Sequence, residues 1–136
     1  MPKVVSLVVK CPHCDNILND ENHLINNHPS IRVIVETKIK QRGSIWLSSI
    51  YGDYNYSCEF PIPEDEIVKM YCPQCDTDLK RKSLECDICG AQLISFLCNV
   101  GGRVSICSRN GCKNHYVVFE DLDETIRRFY DEYGIV

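Results

Sequence analysis

The residues of this chain best equipped for chemistry are its cysteines, ten in 136 residues, and their spacing sorts them. Pairs separated by two residues occur three times, as Cys11/Cys14, Cys72/Cys75 and Cys86/Cys89, and a looser pair is Cys107/Cys112 in CSRNGCKNH. Two intervening residues allow a tight turn that aims both sulfurs at one point, with backbone N–H groups close enough to support the thiolates. Two such knuckles facing each other make a tetrahedral tetrathiolate cage with metal–sulfur bonds near ~2.3 Å. Pro12 and Pro73 after the first cysteine suit that turn, as does Gly90 after Cys89. Asp15 and Asp76 stand at the glycine position of the other two knuckles. Aspartate tolerates a left-handed backbone, less easily than glycine.

The opening run MPKVVSLVVK is too short and wrongly flanked for a signal peptide. No segment holds the ~20 consecutive apolar residues needed to cross a bilayer. The expected setting is cytoplasmic, without a membrane, where thiols stay reduced. The cysteines must then answer to metal, catalysis or burial. Cys58 falls on one strand face with Tyr54, Tyr56 and Phe60, and Cys98 on the face of Ile94, Phe96 and Val100. Alternation makes both small core residues.

Eight cysteines remain, enough for two cages. The stretch CPQCDTDLKRKSLECDICG leaves room between its pairs for a short hairpin with KRKS at its tip. Over residues 72–90 it resembles the zinc-ribbon module, of the rubredoxin-like zinc-binding superfamily, and the whole chain resembles small prokaryotic proteins with several such knuckles. Local closure costs less entropy than a long loop. The favoured arrangement therefore joins Cys72, Cys75, Cys86 and Cys89 in site 1. Cys11, Cys14, Cys107 and Cys112 then form site 2, across a loop of roughly ninety residues. The nested alternative joins Cys11/Cys14 to Cys72/Cys75, and Cys86/Cys89 to Cys107/Cys112. Both give two Zn2+ per chain. The likeness of paired CPxC knuckles to rubredoxin makes Fe in one site the alternative metal, although Asp15 and Asp76 replace its glycines. His115 is a candidate substitute ligand. Two other sets have looser spacing: Cys11, Cys14, His23 and His28 as a finger of two cysteines and two histidines, and Cys98, Cys107, Cys112 and His115 as a finger of three cysteines and one histidine. His13 points away from its knuckle, toward solvent.

The scaffold reads as a small β-rich, metal-stabilised fold. It comprises zinc-ribbon knuckles and hairpins, an inserted three-stranded antiparallel meander and one C-terminal α-helix. A single unit over 1–136 divides into an N-terminal strand, knuckle and loop (1–30), the meander (31–71), the ribbon region (72–118) and the helix (119–136). Val4 to Val9 is a strand, and the asparagine-rich segment 15–30 mostly loop. IRVIVETKIK, GSIWLSSI and YNYSCEF form the meander, and IVKMY leads into Cys72. AQLISFLCNV and RVSIC flank Gly101-Gly102 as a hairpin, and HYVVFE is a further strand. In the last segment Asp121 and Glu124 have capping-box spacing, and Ile126, Phe129, Tyr130 and Tyr133 form an apolar stripe.

The formal charge is −4. Each cage of four thiolates around a divalent cation adds a net −2. The chain as a whole repels phosphate, so a nucleic-acid partner is disfavoured and a protein partner expected. Lys80, Arg81 and Lys82 are the local exception and the candidate nucleic-acid contact. No phosphate loop or dinucleotide fingerprint is present, and closed four-cysteine sites are structural where catalytic zinc keeps an open position. The sequence alone therefore reads as a non-catalytic interaction or adaptor module with two structural zinc sites. The alternatives are a rubredoxin-like iron electron carrier and a nucleic-acid-binding ribbon.

Overall fold

Alternation decides the central strands. In His28–Glu36 the side chains of Ile31, Val33 and Val35 are buried while Arg32, Ile34 and Glu36 lie half-buried on the other face. This is the period-two signature of a sheet with one covered face. The computed structural model describes residues 6–50, 55–99, 103–110, 112 and 117–120. Within them the strands run β1 Val9–Lys10, β2 Asn19–Ile25, β3 His28–Glu36, β4 Arg42–Leu47 and β5 Tyr56–Cys58. There follow β6 Lys69–Tyr71, β7 Lys80–Glu85, β8 Gln92–Cys98, β9 Arg103–Cys107 and β10 Val117–Glu120.

Two antiparallel five-stranded sheets result. One has the order β1-β8-β9-β10 with β7 also on β8, and the other β2-β3-β4-β5 with β6 also on β3. The pairings match strand for strand between the halves of the chain. Val9 and Lys10 lie opposite Cys98 and Leu97, and Met70 and Tyr71 lie opposite Val35 and Ile34. The Leu18 N–H donates to the Val9 carbonyl at 2.9 Å, and that of Leu79 to Met70 at 2.9 Å. Arg32 donates to Leu18 (2.9 Å) and Ser95 to Leu79 (3.0 Å). Even isolated bridges correspond, Ser6 to Ile50 and Ile67 to Arg109. Strands β1–β5 and β6–β10 are thus two copies of one five-strand unit, and each copy lends its first strand to the other's sheet. The exchange merges the cores: Val9, Val33, Val35, Met70, Leu79 and Phe96 belong to one buried cluster.

The copies differ where it matters for chemistry. The β2–β3 hairpin turns on Asn26 and Asn27, both left-handed (φ 53° and 67°), as a two-residue primed turn requires. The β7–β8 hairpin instead carries the Cys86–Cys89 knuckle at its tip. By strand register, Cys107 stands where the first copy has Ser48.

Several expectations change. Segment 15–30 is not mostly loop, because Asn19–Ile25 pairs with β3 through a bulge; its polar residues belong to a hairpin arm with exposed positions. KRKS is not a turn but part of β7. The meander 31–60 and the 92–107 hairpin are present. The Gly101-Gly102 turn, His115 and the helix expected over 119–136 lie outside the described residues, apart from Val117–Glu120, which is strand. No described residue is helical, so no described helix is long and apolar enough to span a membrane.

Candidate metal centres

Each CxxC knuckle is built by the same backbone turn. The N–H of the residue after the second cysteine returns to the carbonyl of the first: Asp15 to Cys11 (3.0 Å), Asp76 to Cys72 (2.9 Å), Gly90 to Cys86 (3.0 Å). The first cysteine's N–H reaches the carbonyl two residues past the second, on Asn16, Thr77 and Ala91. Closing that loop needs a left-handed residue, and Asp15 (φ 66°), Asp76 (φ 56°) and Gly90 (φ 76°) supply it.

The knuckles bring eight sulfurs into two groups: Cys11, Cys14, Cys72 and Cys75, and separately Cys86, Cys89, Cys107 and Cys112. Within each group all sulfurs lie within 4.8 Å of one another. Cys11–Cys75 is 3.8 Å, Cys14–Cys72 is 3.6 Å and Cys89–Cys107 is 3.4 Å. A tetrahedron with ~2.3 Å bonds has edges of about 3.8 Å, so the donor sets fit a zinc-sized ion. The first centre sits between equivalent knuckles of the two copies; the second belongs to the second copy alone.

This overturns the favoured pairing. Cys72/Cys75 do not meet Cys86/Cys89, because the six residues of β7 separate the knuckles. An extended strand of that length spans about 20 Å, far beyond the reach of one cage. The nested arrangement is the one formed. His23 is no ligand in either group; its ring stacks on Trp46 with centroids 4.1 Å apart. Cys98 is buried opposite Val9, and Cys58 packs against the core. His13 is exposed.

Neutral donors support the first cage. Backbone N–H groups of His13 and Gln74 point at Cys11 and Cys72 Sγ (3.3 and 3.4 Å). The Asn16 amide donates to Cys14 (3.2 Å), and Thr77 Oγ1 lies 3.2 Å from Cys75 Sγ. Lys10 pairs with Asp15 (2.9 Å) and Arg42 with Asp76 (2.7 Å), so these cations engage the flanking carboxylates. In the second cage the Arg109 N–H approaches Cys107 Sγ at 3.5 Å.

The metal-free thiols are unequal. Burial pushes Cys11 up to about 12 and raises Cys72 and Cys107. The Thr77 hydroxyl and N–H bring Cys75 down to about 6. At Cys89 burial is outweighed by the Ala91 N–H and the Arg109 guanidinium, which bring it to about 6. Near neutrality the raised thiols still hold protons, and a divalent ion must displace them. Zinc affinity is therefore expected to rise with pH, roughly tenfold per unit for each proton displaced. Competition titrations between pH 5 and 8 check this; a flat profile contradicts it.

The family model of the tRNA synthetases class I (M) matches residues 16–134, nearly the whole chain. No curated protein and no solved structure matches. The match corrects the expectation that the chain stands outside enzyme families, since synthetases are enzymes. Absence of a phosphate loop and closure of the sulfur cages pointed the other way, but many enzymes have no such loop, and the cages describe only the metal centres. The match names no zinc-ribbon family, and the two groups of four cysteines are compatible with zinc-binding knuckles. With most of its length matched by that model, the chain belongs to the class I (M) tRNA synthetases.

Proposed function

We propose that this chain is the zinc-braced β unit of a class I tRNA synthetase, holding two Zn2+ in closed tetrathiolate cages. The observation that carries the reading is the gathering of eight cysteine sulfurs into two groups of four. Four thiolates leave no open position, so the metals brace the structure and do not activate water. The first bridges the two copies of the five-strand unit. The second fixes the far end of the β7–β8 hairpin to the end of β9. So braced, the sheets present rigid surfaces to the rest of the aminoacylation machinery. Elemental analysis of native-mass protein tests the metal reading: two zinc per chain and no visible colour are expected. Strong visible absorption from ferric thiolate would favour the iron carrier, and intact disulfides without metal would contradict both.

A contact with tRNA through Lys80, Arg81 and Lys82 is a second reading. It is favoured by the family's named substrate and by the exposed Lys80 on β7. Binding that weakens steeply with salt and is lost on replacing the three by alanine supports it. Salt-insensitive or unchanged binding removes it.

A further inference from the structure

The internal duplication supplies a control for a site other than the metal centres, in a cleft between the two sheets. Ser49 and Ser108 hold the same place in the two copies. The Ser49 carbonyl accepts the Leu7 N–H at 2.8 Å, and the Ser108 carbonyl accepts the Val68 N–H at 2.9 Å. Both serines are 3% exposed. The Ser49 hydroxyl donates to the Pro29 carbonyl at 2.6 Å and lies 3.2 Å from Ser6 Oγ. Its counterpart, Ser108 Oγ, is buried without a partner. Ile67 stands where the first copy has Ser6, so that hydroxyl is missing from the second copy. Gln92 stands where the first copy has Pro29, and its carbonyl accepts the Ser108 N–H (3.3 Å).

Ser108 lies in the wall of a cavity of about 530 Å³. Ile45, Leu47 and Met70 line it from the first sheet and Ile106 from the second, while Ile62 and Val68 come from the link between the copies. Exposed Tyr56 and Glu64 also line it, so the cleft opens to solvent. Small-molecule sites have this size, with mostly apolar walls and a few hydrogen-bonding groups. Glu64 and Arg109 in the lining carry opposite charges, so the cleft favours neither sign. A buried hydroxyl is ordinarily paired, because leaving it unpaired costs its full desolvation. The first copy satisfies its serine internally. The second leaves the same serine unpaired at the wall of a cavity.

We propose that this cleft binds a small, uncharged and mainly apolar molecule whose carbonyl accepts a hydrogen bond from the Ser108 hydroxyl. The ligand's carbonyl then takes the part that the Pro29 carbonyl plays for Ser49 in the first copy. Its apolar body packs against Ile45, Leu47, Met70 and Ile106, which removes apolar surface from water. The cleft borders the second cage at Cys107 and Cys112, but the inference needs only the folded chain and not the identity of its metals.

The test uses the full, metal-loaded chain and three probes of one shape: benzylacetone, its hydrocarbon counterpart butylbenzene and its carboxylate counterpart hydrocinnamate. Methyl carbon–proton NMR titrations locate each probe. Benzylacetone should shift the methyls of Ile45, Leu47, Met70 and Ile106, and bind about 3- to 10-fold more tightly than butylbenzene, the worth of one hydrogen bond. Hydrocinnamate should bind more weakly than benzylacetone, because its charge must be desolvated. Ser108→Ala removes a hydroxyl that has no partner, so the fold should tolerate it. That variant should bind benzylacetone no better than butylbenzene. Ser49→Ala, which removes the partnered serine of the other copy, should keep the preference. Absent shifts, shifts confined to residues outside the cleft, hydrocinnamate as the tightest probe, or an unchanged preference in S108A would overturn the proposal. The wild-type shifts and probe order are decisive by themselves should S108A not fold.

Discussion

Replacing Cys72 by serine is expected to remove the first zinc and, with it, the cooperative fold. Cys72 is fully buried and its cage joins equivalent knuckles of the two copies. Structural zinc contributes an apparent ~10–16 kcal/mol near neutral pH, whereas a whole domain is stable by only ~5–15 kcal/mol. Losing one ligand therefore removes a contribution as large as the net stability. Circular dichroism should show no cooperative melt at 25 °C, and native mass spectrometry should show the metal loss. The control is Cys98→Ala, which removes a buried sulfur outside both cages. It should cost about 1–2 kcal/mol for the cavity and leave both metals in place. A C72S protein that melts like wild type with two zinc bound would refute the first centre.

Cys107→Ser should act on one end of the molecule. Only the second copy supplies the second cage, so one zinc should stay in the first. The destabilisation is expected to reach or exceed about 4–5 kcal/mol, the range in which loss of a metal places a substitution. Its footprint should be local. Amide exchange should quicken at Cys86–Gln92, at Ser108–Asn110 and at Asp65–Val68, which hydrogen bonds to that segment. Strands β2, β3 and β4 should keep their protection, since their pairing does not pass through the second cage. Loss of both metals, or uniform deprotection, would contradict the assignment of that cage to one copy.

The convergence of the sulfurs within each CxxC pair was legible in the sequence, because spacing by two residues dictates a tight turn, whatever surrounds it. Core Cys98 was legible from alternation, and so was β3. The pairing was not, because loop-closure entropy takes no account of the stiffness of the intervening chain. Lys80–Glu85 is an extended strand, and a strand cannot fold back as a flexible loop does. The signal that settles the pairing was nevertheless present: CPHCDNIL at Cys11–Leu18 and CPQCDTDL at Cys72–Leu79 are the same knuckle written twice. Two copies of one element imply a symmetric partnership, and short internal similarity of this kind marks a duplicated unit. Asn26-Asn27 was a further missed cue, since adjacent residues that accept positive φ mark a hairpin within an otherwise unperiodic stretch. The exchange of β1 and β6 between sheets was not legible, because two- and three-residue strands carry too little alternation to reveal their partners. Nor did the cysteines disclose the enzyme family, since closed cages report on bracing and not on the reaction served.

The central claim is which four cysteines share each metal. Replacing zinc by cadmium-113 and recording cadmium–proton correlations reads that connectivity directly, through coupling from each metal to the β-protons of its own ligands. Two cadmium resonances are expected, one coupled to Cys11, Cys14, Cys72 and Cys75 and the other to Cys86, Cys89, Cys107 and Cys112. A resonance coupled to both Cys72/Cys75 and Cys86/Cys89 would contradict it.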